Sequence, residues 1–198
     1  MLRSLLKAWL PGLLLALVAG QAWAEVAVTF YAHPGARIRG GDLLFPHAYV
    51  HAVGTLDDTG ENVDWSAGFT AKYPGPHLLL ARGPGEVQHP DPRYVNEGHP
   101  YLRVVVSDAT YRQLRTRADW WNGAEGPEGA VYDLRRRNCI TFVADLARLV
   151  GLTTAQEPSM KPGTFLEATA ALNPAAAWTE TAPVFPTPEL DIRTAPLE

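Results

Sequence analysis

The only cysteine of the chain, Cys139, stands where a polar stretch gives way to an amphipathic helix. Apolar residues recur after it at the spacing of one helical face, namely Phe142, Val143, Leu146, Leu149 and Val150, until Gly151 provides a C-terminal stop. A thiol in the first helical turn lies at the positive end of the helix dipole, and arginines occupy positions 135–137. These features predict a lowered thiol pKa and a nucleophile, whereas the alternative is a small hydrophobic core residue.

A catalytic thiol needs a base, which in cysteine hydrolases is an imidazole oriented by a further polar group. Only His47 and His51 lie inside a predicted strand, on the same face as Tyr49. The other histidines stand beside prolines or at loop edges and are expected to be solvated: His33, His77, His89 and His99. Asp64 and Ser66 share one face of the next strand and are the candidate orienting groups. The alternative is that these polar residues form the solvent-exposed face of a sheet whose other face is buried.

The predicted elements run from strands to helices, which is the order of an α+β domain. Strands are predicted at 26–31, 45–56, 61–70, 77–81 and 101–106, with a turn at 57–60 that makes the second and third a hairpin. Helices are predicted at 108–121, 139–150 and 165–172. The segment 82–100 is rich in Gly, Pro and His and is expected to be a long surface loop.

The N-terminus has the form of a secretory signal peptide, residues 1–24, with Arg3 and Lys7 ahead of an apolar stretch. Cleavage after Ala24 leaves 198 − 24 = 174 residues, which we divide into a domain at 25–173 and a proline-rich, flexible tail at 174–198. The apolar stretch is short and broken, so no membrane span is expected after cleavage. The sequence therefore predicts a periplasmic or secreted protein.

The formal net charge bears on which classes of binding partner are expected. Loss of Arg3 and Lys7 takes the formal net charge from −4 to −6, which disfavours nucleic acid or an anionic membrane surface. No glycine-rich phosphate loop is present, and His47 and His51, four residues apart on a strand, are too distant to chelate one ion. We therefore expect no metal or nucleotide cofactor.

Two short motifs carry a family resemblance. The run Arg137-Asn138-Cys139 enters a helix, and an earlier strand reads Pro46-His47-Ala48-Tyr49-Val50. Together they resemble the circularly permuted papain-like group, which includes NlpC-type cell-wall amidases and lecithin:retinol acyltransferase-like proteins, over the stretch from Asp42 to Leu152. In that group the histidine strand precedes the cysteine helix, as it does in this sequence.

The resemblance implies an antiparallel sheet with helices, with Cys139 as nucleophile, His47 as general base and Asp64 as the orienting group. Acyltransferase members often carry a second histidine on the following strand, but none stands there in this chain, so Ser66 is the substitute for Asp64.

The implied activity is that of an exported thiol hydrolase acting on an amide or ester bond through an acyl-enzyme. Its expected partner is a peptide, a cell-wall fragment or a lipid, with cell-wall peptide bonds as the natural amide substrate. A non-catalytic periplasmic binding or accessory domain of the same fold is one alternative, and it would bury Cys139 out of reach of His47. A lipid acyltransferase is the other, and it would show an apolar groove beside the thiol.

Overall fold

The computed structural model describes residues 25–37, 43–44, 46–156 and 161–179, so the predicted signal peptide and residues 180–198 of the predicted tail lie outside the described ranges. The strands are β1 (Val26–His33), β2 (Ala36–Arg37), β3 (Leu43–Leu44), β4 (His47–Thr55), β5 (Asn62–Ala71), β6 (Gly83–Gln88), β7 (His99–Val106) and β8 (Val131–Tyr132). The α-helices are α1 (Pro92–Glu97), α2 (Asp108–Trp121), α3 (Cys139–Leu149) and α4 (Pro162–Leu172), and Pro76–Leu79 forms a 3₁₀ helix.

Six of these strands form one antiparallel sheet in the order β7-β1-β4-β5-β6-β8. β1 and β4 pair along their whole length, with Tyr31 opposite Tyr49 and His33 opposite His47. The pairing of β4 with β5 begins at Val50 and runs to Thr55. The predicted α+β class with an antiparallel sheet is therefore confirmed.

One face of the sheet is covered by α2, α3 and α4 and carries the hydrophobic core. The core includes Val28, Phe30, Val50, Phe69, Leu114, Phe142, Leu146 and Phe165, all fully buried. Burying one such side chain contributes about 1.5–3 kcal/mol. α3 buries seven of its eleven residues, including Cys139, so the helix that begins at the cysteine is the one most embedded in the core.

The opposite face carries aromatic and imidazole side chains, because Tyr31, Tyr49, His47 and His51 alternate with core residues along β1 and β4. α1 packs over part of this face, where the Tyr49 hydroxyl donates to the backbone carbonyl of Val95 at 3.2 Å. The sheet thus has an apolar side and a polar aromatic side.

Two sequence-based assignments are wrong between β5 and β7. Of the residues predicted as a strand at 77–81, positions 77–79 belong to a 3₁₀ helix and 80–81 to the turn and bend after it, because Pro76 starts a helical turn and only Leu78 of the apolar run is buried. The predicted loop at 82–100 contains β6 and α1. α1 begins as helices commonly do, with Asp91 accepting from the backbone N–H of Tyr94 at 2.9 Å and a proline at the first position.

The C-terminal boundary also differs from the prediction. The backbone N–H of Trp178 donates to Tyr101 at 2.8 Å, and that of Arg103 donates to Ala176 at 2.8 Å. The described part of the predicted tail therefore joins the β7 edge of the sheet. The domain extends to at least Trp178 rather than ending at residue 173.

Candidate active site

The backbone around Cys139 is fixed by a capping box. The side chain of Asn138 accepts hydrogen bonds from the backbone N–H groups of Ile140 at 2.8 Å and Thr141 at 3.2 Å. The Thr141 hydroxyl in turn accepts from the backbone N–H of Asn138 at 2.9 Å, and the Asn138 amide donates to the carbonyl of Leu134 at 2.9 Å. These bonds hold the cysteine at the first position of α3.

The thiol is buried, with Cys139 8% exposed. Backbone hydrogen bonding by Ala48, Cys139 and Ile140 favours the thiolate and acts to lower the pKa of Cys139. Burial outweighs this effect and raises the pKa of the Cys139 thiol to about 11. The predicted lowering of this pKa is wrong because desolvation dominates the helix start.

The upstream arginines do not offset this burial, because the contacts of two of them lie elsewhere. The Arg137 guanidinium lies over the ring of Trp121, 3.8 Å from its centroid. Arg135 donates to the backbone carbonyl of Leu79 at 3.5 Å. Although these two arginines stand close to Cys139 in the sequence, their guanidiniums make their contacts away from its sulfur.

His47 is half-buried at the start of β4, and its ring lies over Gly68 of β5. A Cβ at position 68 would overlap Nε2 of the imidazole, so the glycine leaves the space that the ring occupies. Burial lowers the pKa of His47 to about 4, and the nearby His33 acts in the same direction. The imidazole is therefore neutral at pH 7 and able to accept a proton.

Cys139 and His47 line the same cavity, which has a volume of about 1060 Å³. Its wall is mainly apolar and includes Pro46, Ala71, Pro74, Pro76, Leu78, Leu79, Leu134, Ile140 and Pro162. Polar groups on it include Thr70, Gln88, His89, Asp91, Tyr94, Tyr132, Asn138 and Lys161. The two residues that sequence reasoning paired as nucleophile and base thus face a common space large enough for a substrate.

Asp64 does not orient His47. Its Oδ1 lies 2.7 Å from Nε2 of His51, and β5 pairs Asp64 with Val53 and Ser66 with His51. Continuing this register places Thr70, rather than Asp64, opposite His47. Six residues of strand, about 20 Å, separate positions 64 and 70. The role predicted for Asp64 is corrected by the strand register.

Ser66, the alternative candidate for orienting His47, makes its hydrogen bonds to other residues. Its hydroxyl donates to the carbonyl of Pro90 at 2.6 Å, and its own carbonyl accepts from Nδ1 of His89 at 2.6 Å. Ser66 therefore ties the segment between β6 and α1 to the edge of β5. His89, expected to be a solvated loop histidine, also lines the cavity.

Two tyrosines on the cavity wall were missed in the sequence. Burial and the nearby Cys139 raise the pKa of both Tyr94 and Tyr132 to about 12, so both hydroxyls remain protonated donors at pH 7. Tyr94 lies on α1, in a segment predicted as loop. The Asp91-Pro92 pair is the signal that could have placed it on a helix.

Within the described ranges, no group of three or more His, Cys, Asp or Glu residues is arranged to hold a metal ion. In the same ranges no helix has the length and apolar character needed to cross a membrane. No family model, curated protein or solved structure matches the chain. Functional inference therefore depends on the geometry of the site.

Proposed function

We propose that the protein is an exported thiol hydrolase or acyltransferase of the circularly permuted papain-like type, with Cys139 as nucleophile and His47 as general base. The observation that carries the proposal is the shared cavity, which is lined by both a cysteine at a capped helix start and a neutral imidazole. The backbone of Ala48, the residue after His47, contributes to the pKa of the Cys139 thiol, which supports the same pairing.

Both members of the pair are uncharged at neutral pH, so the reaction starts from a thiol and an imidazole rather than from an ion pair. His47 accepts the proton of Cys139 as the sulfur attacks an ester or amide carbonyl. The sulfur–acyl bond forms, and the imidazolium returns the proton to the leaving alcohol or amine. Water or a second acceptor then releases the acyl group with the same base.

The developing oxyanion needs hydrogen-bond donors beside the sulfur. The backbone of Cys139 and Ile140 at the start of α3 can supply such donors, and Tyr94 and Tyr132 line the same cavity. Within the described ranges no carboxylate hydrogen-bonds to His47. Packing over Gly68, rather than an acidic partner, therefore supports the position of the base.

The cavity wall favours an apolar acyl group as part of the substrate. Leucines continue the apolar wall to the surface, with Leu79 59% exposed and Leu134 40% exposed, and the adjacent Leu80 is 93% exposed. This observation favours a lipid ester or lipid amide over a cell-wall peptide as the substrate. It is the apolar groove beside the thiol that a lipid acyltransferase requires.

The test compares acyl chain length and bond type on the purified protein. We expect turnover of p-nitrophenyl esters that increases from acetyl to longer acyl chains, with little turnover of short peptide anilides. Cys139→Ser and His47→Gln should each lower kcat/KM by about 100-fold or more. His51→Gln is the matched control, because His51 lies on the same face of β4 but pairs with Asp64, and it should retain activity.

Mass spectrometry of the reacting protein provides the second readout. An acyl adduct on Cys139 that is absent in Cys139→Ser supports the covalent step. If neither esters nor amides acylate the cysteine while all variants remain folded, the protein is a non-catalytic binding or accessory domain. A preference for peptide anilides over long-chain esters would instead assign the cell-wall substrate.

A further inference from the structure

A second concavity of about 490 Å³ shares no lining residue with the cavity of Cys139. We call it the arginine cleft and define it by its lining residues: Arg117, Trp120, Trp121, Arg136, Arg137, Thr141, Asp145 and Arg148. Four arginines against one carboxylate give it a formal charge of 4 − 1 = +3. A local charge of this sign is notable in a chain whose formal net charge is −4.

The single carboxylate of the arginine cleft is already engaged. Asp145 forms a two-point ion pair with Arg117, and its Oδ2 accepts a hydrogen bond from the indole N–H of Trp121 at 2.7 Å. One positive charge is therefore neutralised inside the protein. Arg136, Arg137 and Arg148 line the same concavity.

Arg137 lines the arginine cleft, and two indole rings fix its orientation. Its guanidinium lies over the rings of Trp121, 3.8 Å from the centroid, and Trp120, 4.7 Å from the centroid. It donates to the carbonyl of Gly129 at 2.8 Å, and its buried Nε–H has no hydrogen-bond partner in the described part of the chain. The stack thus holds a cation whose donors are incompletely used.

We infer that the arginine cleft binds a phosphate group. The arginines that line it belong to α2, to the turn before α3 and to α3 itself, so the positive charge comes from several elements rather than from one. A tetrahedral phosphate offers acceptors in several directions and up to two negative charges, whereas a carboxylate offers one plane and one charge. Either a free phosphate compound or a phospholipid headgroup supplies this chemistry.

This site is independent of the proposed acyl-transfer activity, although Arg136 and Arg137 stand only a few residues before Cys139. Arg136 and Arg148 are exposed, so replacing them removes charge without opening the core. The double variant Arg136→Gln/Arg148→Gln is therefore the test. Lys72→Gln/Arg93→Gln, which removes two exposed positive charges outside the arginine cleft, is the charge-matched control.

Inorganic phosphate is titrated into each protein by calorimetry, and each protein is sedimented with vesicles of phosphatidylcholine alone or with added phosphatidylglycerol. We expect the double variant to raise the phosphate Kd at least about tenfold while the control stays within about twofold, a difference of about 1.4 kcal/mol. Loss of inorganic phosphate binding in the double variant assigns a soluble source.

Binding only to phosphatidylglycerol vesicles, lost in the double variant and kept in the control, supports the site with a lipid headgroup as its source. The inference is overturned if the native protein binds neither probe. It is equally overturned if the double variant and the control weaken binding to the same extent, because the attraction would then be nonspecific.

Discussion

At the scale of the residue, two opposing effects act on Cys139. A helix N-terminus contributes about 0.3–1 kcal/mol to stabilising a nearby negative charge, and up to about 2 kcal/mol in partly buried sites. Raising the thiol pKa from 9.0 to about 11 corresponds to a larger net effect of the opposite sign, on the order of 3 kcal/mol. Desolvation therefore decides the protonation state, and the nucleophile becomes active only when His47 removes its proton.

This balance predicts slow alkylation of the resting enzyme. Iodoacetamide should label Cys139 slowly at neutral pH and faster as the pH approaches about 11, because the thiolate is the reacting species. Quenched samples analysed by mass spectrometry across pH give the rate profile. A rate that already reaches its maximum below the usual thiol pKa of about 8.5 would show that Cys139 and His47 form an ion pair in the resting site.

Gly68 offers a second prediction for a single residue. Gly68→Ala should lower kcat by about 10- to 100-fold, because the new methyl group would meet the far end of the His47 ring and displace the base. The ring can rotate away, but the methyl group would also lie 3.1 Å from Cβ of the buried Tyr49, so the midpoint of thermal unfolding should fall slightly. Steady-state kinetics and thermal melts are measured together, and an unchanged kcat would show that the base does not occupy this position during catalysis.

At the scale of the element, the sequence pattern predicted the helices and strands that are stabilised by contacts between residues close in sequence. The helical periodicity after Cys139, the serine cap at Ser107 and the alternating pattern of the hairpin correspond to α3, α2 and β4–β5. The run at 77–81 was misassigned because apolar content alone does not reveal that Leu79 and Leu80 face solvent. β8, two residues long, is defined by pairing with β6 and has no local signal.

The site shows the same division between local and long-range information. The cysteine helix and the histidine strand could be proposed from residue types and spacing. The partner of Asp64 could not, because its identity depends on the register between β4 and β5, and a shift of a few residues exchanges His47 for His51. Tyr94 and Tyr132 reach the cavity through packing that the sequence pattern does not encode.

The capping box provides a prediction for the start of α3. Asn138→Ala should lower the free energy of unfolding by about 1–2 kcal/mol and also lower kcat, since the Asn138 side chain fixes the first turn that carries Cys139. Ser107→Ala removes the cap of α2, which is remote from the thiol, and should affect stability alone. Urea denaturation and kinetics of both variants separate the two effects. Equal loss of activity in both would contradict a specific role for the box.

At the scale of the whole molecule, one sheet separates two environments. The apolar face buries α3 with its cysteine, while the opposite face carries the histidines and tyrosines. Cys139 and His47 reach a common cavity where β4 is not yet paired with β5, near the start of both α3 and β4. Burial keeps both the Cys139 thiol and the His47 imidazole uncharged. The proposed proton transfer and the stability of the fold therefore depend on the protonation of the same two groups.

Stability should therefore fall on both sides of neutral pH. Folding lowers the pKa of His47 from 6.5 to about 4. Between these two pH values, His47 is protonated in the unfolded chain and neutral in the folded chain. This contribution to stability, on the order of 3 kcal/mol, is present above pH 6.5 and is lost as the pH falls towards 4.

For Cys139 the sign is opposite, because its pKa is raised on folding from 9.0 to about 11, and stability is lost as the pH rises through this interval. Urea midpoints measured across pH should decline less steeply below pH 6.5 in His47→Gln and less steeply above pH 9 in Cys139→Ser. His77→Gln, which replaces an exposed histidine, is the control for the loss of an imidazole. If all four proteins show parallel profiles, the two buried groups do not hold the protonation states from which the proposed proton transfer begins.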